Sequence, residues 1–299
     1  MGNVAQLAPA VAPRPGTRPD WEGLRVWQAL VLLGISAWLY VPILGRLAQQ
    51  WWTDPNFSHG FFVPAFAAFV VWQDRQRLIT LPRSSSLWGL PIILLALLML
   101  LLGVFGAELF LSRSSVLVLL AGLILFFLGR QVFRGVLFPL LFLLLMVPIP
   151  VIIFSQITFP LQIFASKVAA GCLPAMGVPV LREGNVITLP AMPLEVAEAC
   201  SGIRSLLSLT TLAIMYGFLM EKRIGLRIAL ALASVPIAVA ANGMRIVGTG
   251  LLVQYWDPDK AEGFFHVFSG WLIFVVSLVM LFLLHRLLLI LFRRRGAPA

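Results

Sequence analysis

The chain has 299 residues, 60% of them hydrophobic and only 11% charged; an ordinary soluble domain carries about 25% charged residues, so water is excluded as the main solvent of the fold. The net charge of +10 invites a nucleic-acid partner. However, the basic residues sit at the ends of apolar runs, as topology determinants facing anionic lipid do, and not along a groove.

The first 26 residues are rich in Ala and Pro and lack a signal peptide's order of basic start, apolar centre and cleavage site. They read as a disordered cytoplasmic tail. From there an all-α polytopic membrane domain is predicted over 27–292, with a basic cytoplasmic tail at 293–299. Its apolar runs approach the roughly 20 residues that a membrane helix needs. They show none of the alternation of a β-barrel strand. Eight transmembrane helices are expected, at about 27–47, 57–73, 87–106, 112–130, 135–153, 203–219, 226–247 and 268–291.

Placing the N-terminus in the cytoplasm puts Arg75, Arg77, Arg130, Arg134, Lys222, Arg223 and Arg293 to Arg295 inside. It leaves Arg46, Arg113, Lys167, Arg182, Arg204, Arg245 and Lys260 outside or in the outer half of the membrane. This bias predicts that both termini face the cytoplasm. His285, beside Arg286 at the cytoplasmic end of the last helix, is expected on the surface.

Residues 154–202 form the one sizeable extramembrane piece. Its first half, 157–176, is helical in pattern but carries Lys167 at its centre. A Lys at mid-bilayer costs about 2.5–3.5 kcal/mol, which favours a helix lying in the interface over a ninth span. Cys172 falls in this helix. Then Val180-Leu181-Arg182, a Glu183-Gly184 turn and Asn185 to Leu189 read as a small β-hairpin. Leu194-Glu195-Val196 offers a third strand.

Polar residues within apolar sequence are costly and mark candidate sites. Three clusters stand out, all on the outer side of the predicted topology. In Glu198-Ala-Cys200-Ser201-Gly202-Ile-Arg204, Cys200 lies at the start of the sixth span. There the helix dipole and Arg204 favour the thiolate, while Ser201-Gly202 leaves room for a chain to approach. In Asn242-Gly-Met-Arg245 the two polar residues share a helix face. A buried structural cysteine and a snorkelling Arg245 are the bland alternatives. In Phe265-His266-Val-Phe-Ser-Gly270, His266 is a base or acid near neutral pH, or an interfacial anchor among aromatics. His59, in Asn56-Phe-Ser-His59-Gly60 at the outer end of the second span, is a candidate to join them.

A thiol, an imidazole and a guanidinium from three elements suit acyl transfer. The imidazole takes the thiol proton, the thiolate attacks a carbonyl, and arginine stabilises the oxyanion or orients the substrate. Two other classes stay open: a transporter with Asn242 and Arg245 at a broken helix, and a transferase of envelope polysaccharide synthesis without a thiol. No metal pattern and no phosphate loop is present, so neither metal nor cofactor is expected.

At these residues the sequence resembles the exosortase/archaeosortase family, most closely its bacterial branch. Glu198-Ala-Cys200-Ser-Gly-Ile-Arg204, Asn242-Gly-Met-Arg245-Ile and Phe265-His266-Val-Phe-Ser-Gly270 match, in the family's order. Asn56-Phe-Ser-His59-Gly60-Phe, followed by Pro64, matches its early signature. The resemblance implies a thiol protease-transpeptidase of the inner membrane whose catalytic Cys, Arg and His correspond to Cys200, Arg245 and His266. Glu198, Ser201, Gly202, Arg204, Asn242 and His59 would be supporting residues. It further implies protein substrates ending in a PEP-CTERM-type sorting signal, that is, a Pro-Glu-Pro-like motif, a membrane helix and a basic tail. Membrane lipid and an acceptor nucleophile (water, lipid or glycan) complete the implied partners.

Overall fold

A computed structural model describes residues 26–196, 202–256 and 264–294. The fold is helical with one small sheet, as expected. Helix α1 (Val26–Thr53) leads through a 3-10 turn (Pro55–Phe61) into α2 (Phe62–Gln73) and α3 (Arg75–Thr80). Helices α4 (Gly89–Phe105) and α5 (Leu109–Leu123) form a tight hairpin. Gly89, Gly103 and Gly122 face Phe126, Ser112 and Ile93 across it, with no space for a Cβ. Small residues let membrane helices approach this closely. A π turn (Ile124–Leu128) continues α5 into α6 (Gly129–Gly135).

The fifth predicted span does not run to 153. Helix α7 (Leu137–Phe142) and its 3-10 continuation end at Met146, where Pro148 and Pro150 interrupt the helical hydrogen bonding. Pro150 then precedes α8 (Val151–Ala175). The helix expected over 157–176 thus begins six residues earlier, and it is long and apolar enough to cross a membrane. Lys167 is exposed on it.

Among the described residues, five helical stretches meet the length and apolarity of a membrane span: 109–135, α8, α9 (Ile203–Met220), α10 (Ile224–Tyr255), and 268–291 within the last helix, α11 (Phe264–Arg294). Helices α4 and the α7 stretch are apolar but shorter.

The sequence hairpin is found with its turn displaced by one residue. Strands β1 (Leu181–Glu183) and β2 (Val186–Thr188) pair antiparallel with Glu183 opposite Val186, so the loop is Gly184-Asn185. Gly184 has φ 63°, and glycine takes the first central position of such a two-residue turn without strain. The third strand, β3 (Pro193–Glu195), pairs with β2.

Helices α9 and α10 run antiparallel. Gly217 faces Arg227, the Thr210 and Ser234 hydroxyls are 2.9 Å apart, and Gly202 faces Asn242. At 1.5 Å per residue, α9 rises about 27 Å and α10 about 48 Å, so α10 overshoots α9 beyond Asn242. That overshoot is where α8 and the sheet pack. Val168 sits on Gly243 and Leu173 on Gly250, so α8 runs in the same sense as α10. Ile187, Leu189 and Val196 bury their side chains in the same cluster.

At the opposite end of α9 lies a polar network. His285 is not a surface residue: only 4% of it is exposed. Its Nε2 is 2.8 Å from Glu221 Oε1, and its Nδ1 is 2.7 Å from the Tyr216 hydroxyl. The carboxylate accepts from Nε2–H, which leaves Nδ1 to accept from Tyr216. Next to Arg286, surface placement had looked natural. Two partners on α9 and just beyond its end satisfy the ring instead, so its burial leaves no orphaned polar atom.

Candidate active site

The loop into α9 delivers Gly202, whose φ of 81° and ψ of 0° place it in the left-handed region. Glycine adopts this conformation freely, and other residues do so at a cost of about 1–2 kcal/mol. Space imposes glycine a second time. A Cβ here would lie 2.8 Å from Asn242 Cγ and 2.9 Å from its Cβ. Asn242 itself is buried, with 2% exposed. The glycine of the first motif is therefore pressed against the asparagine of the second.

One turn further along α10, half-buried Arg245 meets the last helix. Its Nε–H donates to Ser269 Oγ at 3.3 Å, and a Cβ on Gly270 would lie 3.6 Å from its Nη2. Ser269 and Gly270 follow His266 by three and four residues on α11, one helical turn. On its other side Arg245 borders β3. Leu194, Glu195 and Val196 form a small cleft with Arg245, Ile246 and Thr249. Thr249 donates its hydroxyl to the Arg245 carbonyl at 3.0 Å. The guanidinium is thus engaged by the last helix.

Described residues of all three motifs thus meet around one stretch of α10. Glu198, Cys200 and Ser201 lie outside the described residues. Cys200 comes three positions before the first residue of α9. Arg204, on the first turn of α9, is exposed. His266 lies in the first turn of α11. Ser269, which was not singled out as a candidate although it stands within the third motif, is the side chain that holds Arg245. The spacing of one turn from His266 was the available signal.

His59 enters from the early motif. It is buried in the 3-10 turn, with Nε2 3.2 Å from the Leu145 carbonyl oxygen. It opens onto a cavity of about 270 Å³ walled by Leu206, Thr210 and Thr211 of α9 and Val235 of α10. That wall is one to two turns along α9 from Gly202. Beside it, Trp51 Nε1–H donates to the Met146 carbonyl at 2.9 Å, and a Cβ on Gly60 would collide with the Trp51 ring. The early motif therefore docks the first helices onto the end of the α7 stretch. Among the described residues, no three His, Cys, Asp or Glu side chains gather as metal ligands.

The crowding at Gly202 makes a testable demand. Gly202→Ala combines an unfavourable backbone with a clash on Asn242, so the entry to α9 must shift. Thermal unfolding in detergent should show a lower midpoint, by an amount matching about 1–3 kcal/mol. An unchanged midpoint would mean that the loop sits elsewhere.

Searches of curated proteins and of solved structures return no significant match. The model of one family, the transmembrane exosortases, matches residues 51–283, a span that takes in all four motifs. The chain is therefore a member of the transmembrane exosortase family.

Proposed function

We propose that the protein is a cysteine transpeptidase that cleaves C-terminal sorting signals of secreted proteins at the outer face of a bacterial inner membrane. The observation that carries the reading is the meeting of the three motifs: Gly202 against Asn242, and Arg245 against Ser269-Gly270. Cys200 is two residues from one contact, and His266 is one turn from the other.

In this reading the substrate's own membrane helix holds its Pro-Glu-Pro-like motif beside α9, so an encounter in three dimensions becomes one in two. His266 takes the Cys200 proton and the thiolate attacks the scissile carbonyl carbon. Arg245 supports the charge that develops on the carbonyl oxygen. The carbon–nitrogen bond then breaks, and imidazolium returns the proton to the leaving amine. A thioester on Cys200 remains for water, a lipid or a glycan to release. Asn242 and Gly202 hold the entry of α9, and Glu198, Ser201 and Arg204 line the approach.

The topology proposed with it has both termini in the cytoplasm and eight crossings. By the charge bias α10 runs outward, and α8 runs in the same sense. A returning ninth span would have to run the other way, so α8 continues the outward passage of α7.

Trapping the intermediate tests the proposal. Purified protein incubated with a peptide carrying the sorting motif should gain the mass of the acyl fragment on Cys200, and hydroxylamine should remove it as the hydroxamate. In a Cys172→Ala background, a membrane-impermeant maleimide added from outside should block the reaction. Substrate turnover with no acyl adduct, or blockage only from the cytoplasmic side, would overturn the mechanism or its sidedness respectively.

A further inference from the structure

A separate cavity of about 750 Å³ shares no lining residue with the cleft at Arg245. That is the size of a small-molecule site. Its walls come from α2, α3, the α5–α6 stretch and α7, through side chains such as Ala67, Val71, Leu120, Leu128 and Leu140. Almost all of this lining is apolar. The charged exceptions are Arg75 and Arg83, and Trp72 also lines the cavity.

Shape and chemistry agree on an occupant. Along one wall the lining runs from Leu120 to Leu128, eight residues or about 12 Å of helix before the break at Gly129, whose φ is 86°. One leaflet of the hydrocarbon core is about 15 Å thick. Val71, Ile79 and Leu120 are exposed, so the cavity opens sideways, toward where the bilayer would be. At the rim, Arg75 donates one Nη1–H to the Trp72 carbonyl at 2.8 Å, and its Cζ lies 4.4 Å from the Trp72 ring centroid. The guanidinium is thereby held in place, with further donors to offer. Arg83 is exposed.

We infer that this cavity is a binding site for an anionic phospholipid, with an acyl chain between α2 and the α5–α6 stretch and the phosphate between Arg75 and Arg83. The lipid would join helices that otherwise leave a gap. The substrate's membrane helix is the rival occupant, but its basic tail would meet two arginines at this rim. Assignment to the cytoplasmic leaflet rests on the orientation proposed above, whereas the site itself does not depend on the proposed chemistry.

Native mass spectrometry of the detergent-solubilised protein tests this with phosphatidylglycerol and phosphatidylcholine of identical acyl chains. One phosphatidylglycerol should be retained about thirtyfold better than phosphatidylcholine, as two arginines in one lining imply. Arg75→Gln/Arg83→Gln should lower it to the phosphatidylcholine level. Ala68→Trp, which fills the cavity but keeps both arginines, should remove both lipids. Arg77→Gln/Arg134→Gln, which removes equal charge outside the lining, should change neither. Glycerol phosphate without acyl chains should not compete. Equal losses in the two charge variants would reduce the effect to diffuse attraction. Retention in Ala68→Trp would place the chain outside the cavity, and competition by glycerol phosphate would make it a free-anion site. Each of these results overturns the inference, as does equal retention of the two lipids.

Discussion

Cys200→Ala should abolish processing, so that full-length substrate accumulates while the enzyme remains in the membrane at its normal level. The Ser variant is the sharper probe. It keeps the shape but offers a hydroxyl whose pKa lies far above that of a thiol, and an imidazole suited to a thiol does not readily ionise an alcohol. Cys200→Ser should therefore be almost as inactive as Ala. Cys172 is the internal control. It is an exposed free thiol on α8, so Cys172→Ala should process substrate at the wild-type rate. A structural role for Cys200 predicts something else: lower protein levels in its Ala variant and partial activity in Ser. That pattern would remove the nucleophile from the proposal.

Arg245→Ala should lower the rate of processing by about 10²–10³, the cost of losing one group that stabilises an oxyanion. Arg245→Lys should be nearly as damaging. Arginine presents a planar fork of five donors, and one of them already engages Ser269. An ammonium is a point charge that cannot hold Ser269 and the substrate in the same geometry. Packing points the same way, since the guanidinium sits within contact range of Gly270 on the last helix. Ser269→Ala should cost only a few-fold, because it loosens the arginine without removing it. If the Lys variant processes substrate normally, Arg245 supplies charge at an interface and takes no part in the site.

How much of this was legible beforehand depended on the kind of signal. Apolar runs marked α4, α5, α9, α10 and α11, because hydrocarbon selects composition directly. The hairpin was visible in Gly184 and the β-branched residues after it. Two prolines, Pro148 and Pro150, ended α7 early, yet the apolar composition continues through them and concealed the break. The burial of His285 was illegible because its partners, Tyr216 and Glu221, are more than sixty residues away in the chain. For the same reason the sequence did not reveal which residues join the motifs: Gly202 meets Asn242 and Ser269 meets Arg245 across separations of 40 and 24 positions. Sequence alone reads His59 as a supporting residue; its ring meets the Leu145 carbonyl and lines a cavity walled by α9.

The shortness of α9 carries a consequence for the fate of the intermediate. Its rise of about 27 Å falls just short of a hydrocarbon core of about 30 Å, and Gly202 at its end is buried. In the proposed topology a helix of that length starts near the zone where water thins out and lipid headgroups begin. The thioester proposed above would there meet two competitors at unequal effective concentrations: scarce water, and any amphiphilic acceptor that the interface itself enriches. Partitioning between hydrolysis and transfer then becomes a property of depth, set by the number of residues in one helix.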